Sequence, residues 1–314
     1  MLSINELRQL NDPNIELDTK MQLLNNTDEV DNYLIKLIQR FKEKIEFDKY
    51  YLSYSGGKDS HLIYWIIKEI LQDSTIKIVG INTFMEHHEI LQRIMKNCDI
   101  LLIPKLKPFE IKEKYGIPCF SKQQDEFIKR YQNGSRSKNT MNFVLGINPI
   151  FKLNTKAKNL LLKDKLHKIS ADCCKYLKKV TVHDFEKETG LKPILGVRGA
   201  EGMMRKRSYQ TCLTADKKFT PLWDLTDEME DEIYKRYNIE IPKVYDYVQR
   251  TGCMGCPYSK RNVNNTENIE NELSMLNDNQ RKFVCKYFRE SYDLLGVDTN
   301  KQYTIFDFIG ENNE

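Results

Sequence analysis

No stretch of the sequence approaches the roughly 18 consecutive apolar residues that a membrane-spanning helix needs, so a bilayer span is not expected. The opening residues, MLSINELRQLND, hold no apolar run behind a basic start, and a secretory signal is not expected either. The Walker A pattern GxxxxGK[ST] is missing, which excludes that phosphate loop. No repeat recurs along the chain. Charge is nearly balanced: 49 Lys and Arg against 45 Asp and Glu leave +4 over 314 residues. That permits contact with nucleic acid without arguing for it, and most lysines read as a solvated face. What remains is a globular composition, 40% hydrophobic with 17 Tyr and 14 Phe, enough for one large domain or two unequal ones. Eight cysteines without a secretory signal point to a reducing, cytoplasmic setting, where they act as free thiols or metal ligands.

The informative stretch is 50–65, YYLSYSGGKDSHLIYW. A β-rich run breaks into Ser55-Gly56-Gly57-Lys58-Asp59-Ser60 and then into a helical pattern. Two adjacent glycines let the backbone turn with positive φ and aim successive N–H groups at one spot. The following helix N-terminus adds its partial positive charge there, which makes an anion cradle. Lys58 brings a full charge, Ser55 and Ser60 bring hydroxyls, and Asp59 is suited to hold a magnesium ion. An ordinary strand-turn-helix joint with a polar tip is the competing reading. A lone double glycine would favour it; the whole constellation favours phosphate.

Residues 1–47 read as a helical arm, with capping-box spacing at Ser3 and Glu6. After the loop, a strand at 76–83, a helical pattern over 85–97 and a strand at 99–104 complete a β-α-β-α-β series. Such alternation predicts a parallel sheet with right-handed crossovers. Ligands of open sheets gather at the carboxyl ends of the strands. Asn82 and Thr83 are therefore candidates to face a nucleotide, with a plain strand end as the alternative. Residues 105–170 read as an irregular insertion at about 120–168, with a turn and a helix over 114–132. The lysine-rich segment at 151–167 is either a contact surface for an acidic partner or a solvated helix face. A buried strand is expected at 193–197, a turn and amphipathic helix at 221–237, and helices with polar ends in the last fifty or so residues.

Cys173, Cys174, Cys253 and Cys256 form a second group. CxxC followed by Pro puts two thiolates on one tight turn, which is metal-ligand spacing. Adjacent cysteines are unusual in a zinc ribbon because neighbouring side chains diverge. A wide iron–sulfur cubane meets that divergence better, while zinc and structural thiols stay open on spacing alone. Cys98, Cys119, Cys212 and Cys285 are isolated and read as small buried hydrophobes. Arg198, Arg205 and Arg207 follow the 193–197 strand. Guanidinium groups bind phosphate in bidentate fashion, so these are candidate second contacts for a polyphosphate. Glu201 suits either Arg205 or a metal, and a surface ion-pair helix is the alternative for the strip, above all for Arg207.

Taken together, SGGKDS, the CC and CxxC pairs, GVRGAEGMMRKR and PLWDLT resemble the phosphoadenosine phosphosulfate (PAPS) reductase family. That family lies within the wider group of PP-loop ATP pyrophosphatases and adenine nucleotide α-hydrolases. The resemblance covers roughly residues 50–260. It implies an α/β, HUP-like (adenine nucleotide alpha hydrolase-like) sandwich around a five-stranded parallel sheet. The domain would span 48–260, with helical additions at 1–47 and 261–314. Ser55 through Ser60 would bind the pyrophosphate part of a nucleotide, and Cys173, Cys174, Cys253 and Cys256 would bind a [4Fe-4S] cluster.

Two departures bear on the chemistry this resemblance implies. Sulfonucleotide reductases of the family replace the loop lysine and end in a tail with a nucleophilic cysteine. Here Lys58 is retained, as in ATP-cleaving relatives, and TIFDFIGENNE at 304–314 has no cysteine. The resemblance then implies cleavage of ATP between its α- and β-phosphates, with Mg2+ and with Lys58, Asp59 and Arg198 as the catalytic residues. An adenylated acceptor, such as a nucleic acid, would next receive sulfur from a donor partner. Relatives with this combination include a DNA phosphorothioation enzyme and cluster-bearing tRNA thiolases. One alternative is an adenylyl-sulfate (APS) or PAPS reductase that uses Cys285 or a thioredoxin-like partner's thiol. Another is a non-catalytic nucleotide- and cluster-binding module of a nucleic-acid complex. Self-association into a homo-oligomer is compatible with each.

Overall fold

The computed structural model describes residues 1–248, 251–260 and 265–300. Its packing divides the chain into two compact units. The first takes residues 1–81, 88–102 and 183–243; the second takes 82–87, 103–182 and the described residues from 244 onward.

The first unit is α/β, built on a parallel sheet of four strands in the order β3-β2-β1-β4. These are β1 Tyr50–Tyr54, β2 Lys77–Ile81, β3 Ile100–Leu102 and β4 Lys192–Ile194. In the centre, Leu52 of β1 stands opposite Ile78 on one side and Ile194 on the other. An aromatic-rich run suits a strand covered on both faces, and Tyr51, Leu52 and Tyr54 are almost wholly buried. Their hydroxyls are satisfied: Tyr51 donates to Glu186 at 2.9 Å, and Tyr54 bonds His61 Nδ1 at 2.8 Å. The helix Lys58–Trp65 follows the loop and runs on through one π-turn, Ile66–Ile70. Leu62, Ile63, Ile66, Ile67 and Ile70 are all buried, each stabilising the fold by about 2 kcal/mol relative to exposure. A helix apolar over so much of its surface belongs inside.

Three strands end earlier than the sequence predicts: β3 at Leu102, and β2 and β4 for visible local reasons. Thr83 gives its N–H to the Glu86 carboxylate, so β2 stops at Ile81. Val197 gives its N–H to the Leu195 carbonyl at 3.0 Å, a tight turn, so β4 stops at Ile194. The N-terminal arm has a structural part in this unit. Asp28 caps the helix Glu29–Lys44, whose Val30, Leu34, Leu37, Ile38 and Phe41 are buried. Arg40 of that helix grips Asp224 through two hydrogen bonds of 2.7 and 2.5 Å. Arg236, on the helix Asp227–Arg236, reaches back to Asp28 at 2.9 Å and Asp31 at 3.2 Å.

In the second unit, residues 105–170 hold the helix expected within 114–132 and a helix in the lysine-rich segment, and two more where the sequence reads as irregular. In chain order the helices are Pro108–Tyr115, Lys122–Gln132, Lys138–Leu145 and Thr155–Leu162. Ser121, Ser137 and Asn154, polar residues that look like loop, are the N-caps of the last three, and each accepts a first-turn N–H. Phe127 and Phe143 stack at 3.9 Å inside this group. Among the lysines, Lys156 and Lys158 donate at 2.5 Å to the carbonyls of Leu294 and Leu145, capping helix ends. The helices Glu267–Met275, Asp278–Tyr287 and Arg289–Leu295 wall a separate core that includes Cys173, Met254, Leu273, Tyr287 and Tyr292. The segment 304–314, read for its lack of cysteine, lies outside the described residues. No described helix is long and apolar enough to cross a membrane.

Candidate functional site

The glycine loop lies in the first unit, at the end of β1, where strand order reverses: β2 and β3 fall on one side and β4 on the other. Crevices at such points are where open α/β sheets bind ligands. Only the first glycine takes the left-handed conformation, Gly56 at φ 73°; Gly57 is extended and serves as N-cap of Lys58–Trp65. Gly57 makes no side-chain cap to the first turn, and a helix N-terminus of this kind suits an anion. Ser60 shapes the loop from within. Its hydroxyl accepts from the Ser55 N–H at 3.2 Å and donates to the Gly57 carbonyl at 3.0 Å. Ser55 is exposed and its hydroxyl lies 3.0 Å from that of Ser60. Gly196, just beyond β4, presses on the same turn. A Cβ there would stand 2.7 Å from the Ser60 nitrogen and 2.8 Å from the Asp59 carbonyl carbon.

Opposed charges crowd the start of the loop helix. Arg198 is buried and forms a hub: its Nε bonds Asp59, its Nη1 reaches Asp227 at 2.6 Å, and its Nη2 reaches Glu230 at 3.2 Å. Lys58 Nζ lies 3.0 Å from Asp231 and 4.0 Å from Glu230. Tyr234 donates to the Lys58 carbonyl at 2.7 Å, which ties the helix Asp227–Arg236 to the loop. Glu230 is 2% exposed, and its Oε1 is buried without a hydrogen-bond partner. Burial, reinforced by the Asp59 carboxylate within hydrogen-bonding reach, pushes the Glu230 carboxyl up to about 7 against the pull of Arg198 and Lys58. In this network four carboxylates (Asp59, Asp227, Glu230, Asp231) face two cations.

Of the arginine strip, Arg198 is thus joined to the loop. Arg205 pairs with Glu201, the first of the two partners proposed for that carboxylate, and Arg207 is exposed. Asn82 and Thr83 belong to the second unit. Thr83 is fully buried and its hydroxyl donates to Glu86 at 2.5 Å; Asn82 accepts the Phe84 N–H at 2.9 Å.

The four cysteines are also in the second unit. Cys173 and Cys174 form the short helix Asp172–Cys174, which leads into the π-turn Lys175–Lys179. Cys253 and Cys256 close a turn in which the Cys256 N–H donates to the Cys253 carbonyl at 3.2 Å. Asp125 anchors that turn by accepting the Tyr258 hydroxyl at 2.7 Å and the Cys119 and Phe120 N–H groups at 2.7 and 3.0 Å. The Cys173 thiol, bonded to Cys174 and buried, is held well up; Cys174 accepts that bond, stands near Lys122, Lys178 and Lys179, and is lowered to about 6. Burial pushes Cys253 and Cys256 up, with the neighbouring thiols adding to it. Lys178 is raised, first by Cys253 and then, after the opposing effect of burial, by Glu86 and Cys174. Four thiols that feel one another's charge beside a lysine are a donor set suited to an anionic iron–sulfur group. No three His, Cys, Asp or Glu side chains among the described residues converge on a single-ion geometry.

Five residues of the loop network went unread in the sequence: Gly196, Asp227, Glu230, Asp231 and Tyr234. A cue existed for one of them. Glu230 shares a helix face with buried Ile233 and Tyr234, three and four positions on, so a charge at that place falls on the apolar stripe. Compared with protein-family models and with curated proteins, the chain matches no family and no individual protein.

Proposed function

We propose that the chain is a PP-loop ATP pyrophosphatase of the PAPS reductase family, with a HUP-like fold, that adenylates an acceptor for sulfur transfer. The observation that carries this reading is the SGGKDS turn: a left-handed Gly56, an uncapped helix N-terminus and Lys58, at the switch point of a parallel sheet. The fifth strand of a HUP-like sheet has a natural place beside β4, where Phe219 already pairs with Ile194 in parallel.

In this mechanism the loop amides, Lys58 and Arg198 take up negative charge as pyrophosphate leaves, and this electrostatic stabilisation is the main source of rate. An acceptor oxygen attacks the α-phosphorus and the α–β bridging oxygen departs with pyrophosphate, leaving an adenylated acceptor. A sulfur nucleophile from a donor then displaces AMP. Asp59 would hold Mg2+, which supplies charge neutralisation on the phosphates. Cys173, Cys174, Cys253 and Cys256 would hold a [4Fe-4S] cluster, which supplies a site for sulfur or electrons. A nucleic acid is the acceptor class this reading favours. The sulfonucleotide reductase alternative gains little from Cys285, which is half-buried with its thiol pushed up by burial.

The test is release of AMP and pyrophosphate from ATP and Mg2+ with candidate nucleic-acid acceptors. Lys58→Ala should lower that rate by about 100- to 1,000-fold. No AMP from the wild type, or turnover untouched by Lys58→Ala, sinks the proposal.

A further inference from the structure

We infer that Glu230 is the second protein ligand, with Asp59, of a divalent cation at the start of the loop helix. The inference rests on the phosphate-loop reading above but concerns a residue that no motif of the loop contains.

Three observations lead to it. Glu230 is 2% exposed, and its Oε1 lies buried with no hydrogen-bond partner. A buried carboxylate oxygen left in that state is costly, and proteins normally supply such an atom with a donor or a metal. Secondly, Arg198 engages Asp59 through Oδ1 and Glu230 through Oε2, which gathers the two carboxyl groups around one guanidinium. Asp59 sits in the first turn of Lys58–Trp65, so this pair borders the amides that face an anion. Thirdly, four carboxyl groups face two cations here, so negative charge exceeds positive even while Glu230 holds its proton, in a place shaped for phosphate. Such a cradle repels its ligand until a divalent cation balances it.

The ion is a hard one of the Mg2+ or Mn2+ class, because the donors are carboxylate oxygens. No three-residue cage exists among the described residues, and Mg2+ does not require one. It keeps several waters and uses one or two carboxylates together with phosphate oxygens. Asp227 and Asp231 stay outside the ligand pair: their side chains are 69% and 67% exposed, and they serve Arg198 and Lys58.

The experiment titrates the nucleotide-free full-length protein with MnCl2 and follows free Mn2+ by electron paramagnetic resonance. Glu230→Gln and Asp59→Asn should each weaken binding about tenfold or more, while Glu232→Gln, an exposed neighbour on the same helix, changes it by less than about twofold. Tryptophan fluorescence reports that each variant is folded. Glu230→Asp, which keeps a carboxylate, should bind more tightly than Glu230→Gln. Wild-type protein that binds Mn2+ no better than Glu230→Gln overturns the inference, even if ATP is cleaved in a Lys58-dependent way. Glu230-dependent Mn2+ binding in a protein that cleaves no ATP would uphold it and remove the ATP reading instead.

Discussion

Glu230 offers a direct test of the electrostatics at the loop, through the pH dependence of stability. Its carboxyl is lifted from the ordinary 4.5 to about 7, by burial first and by the nearby Asp59 charge second. The folded state therefore holds this proton in a range where the unfolded chain has released it. The stabilisation is complete below the unfolded value and is lost as pH rises through about 7. The whole rise corresponds to about 3 kcal/mol, since each pKa step is about 1.4 kcal/mol. Between about pH 5.5 and about pH 8 the loss is about 2 kcal/mol. Glu230→Gln keeps the shape and an acceptor for Arg198 but cannot titrate. The assay is urea unfolding of metal-free protein at both pH values, followed by tryptophan fluorescence. Both tryptophans, Trp65 and Trp223, belong to the first unit, so the signal reports that unit alone. Other groups titrate equally in the two proteins, and the difference between their pH responses isolates Glu230. If wild type and Glu230→Gln respond within about 0.5 kcal/mol of each other, Glu230 is not a proton-holding buried carboxyl and the reasoning fails.

Two further outcomes follow from contacts in each unit. Gly196→Ala places a methyl against the Asp59 and Ser60 backbone, where no flexible side chain can yield. It should cost about 1–3 kcal/mol, read as a lower Tm, and a Tm equal to wild type would show that the loop and β4 are not in close contact. In the cysteine group, Cys174 should react first with iodoacetamide in metal-free protein. Its rate should rise through about pH 6 and level off above it, because the lowered thiol is already thiolate there. Faster labelling of Cys173, which is buried and raised, would refute the assignment of donor and acceptor in that pair.

What could be read from sequence was local. Residues 50–65 announce strand, turn and helix within one window, because the aromatic run, the glycines and the apolar helix are adjacent. The first three strands followed from the same alternation. Within 105–170 the helix Lys138–Leu145 was hidden because its cap, Ser137, closes the polar stretch 133–142, whose residue types also make loops. Glu230 and Asp227 were missed for a different reason. An acidic first turn, DEMED, is ordinary helix chemistry. What sets Glu230 apart is Arg198, 32 positions away, together with Lys58, and sequence spacing does not bring those three side chains together. Gly196 likewise matters only through what lies against it.

The N-terminal arm carries a last consequence. The helix Asp227–Arg236 is held at its start by Arg198 and at its end by Arg236, which the arm's Asp28 and Asp31 secure. The arm is thus a splint for the element that presents Glu230. Trimming the chain to a tidy boundary at residue 48 would do more than remove a peripheral helix. It would remove the two carboxylates that secure Arg236 at the far end of the helix that presents Glu230. A chain shortened in this way would report on a loosened site, and its silence in an assay would say nothing of the intact protein.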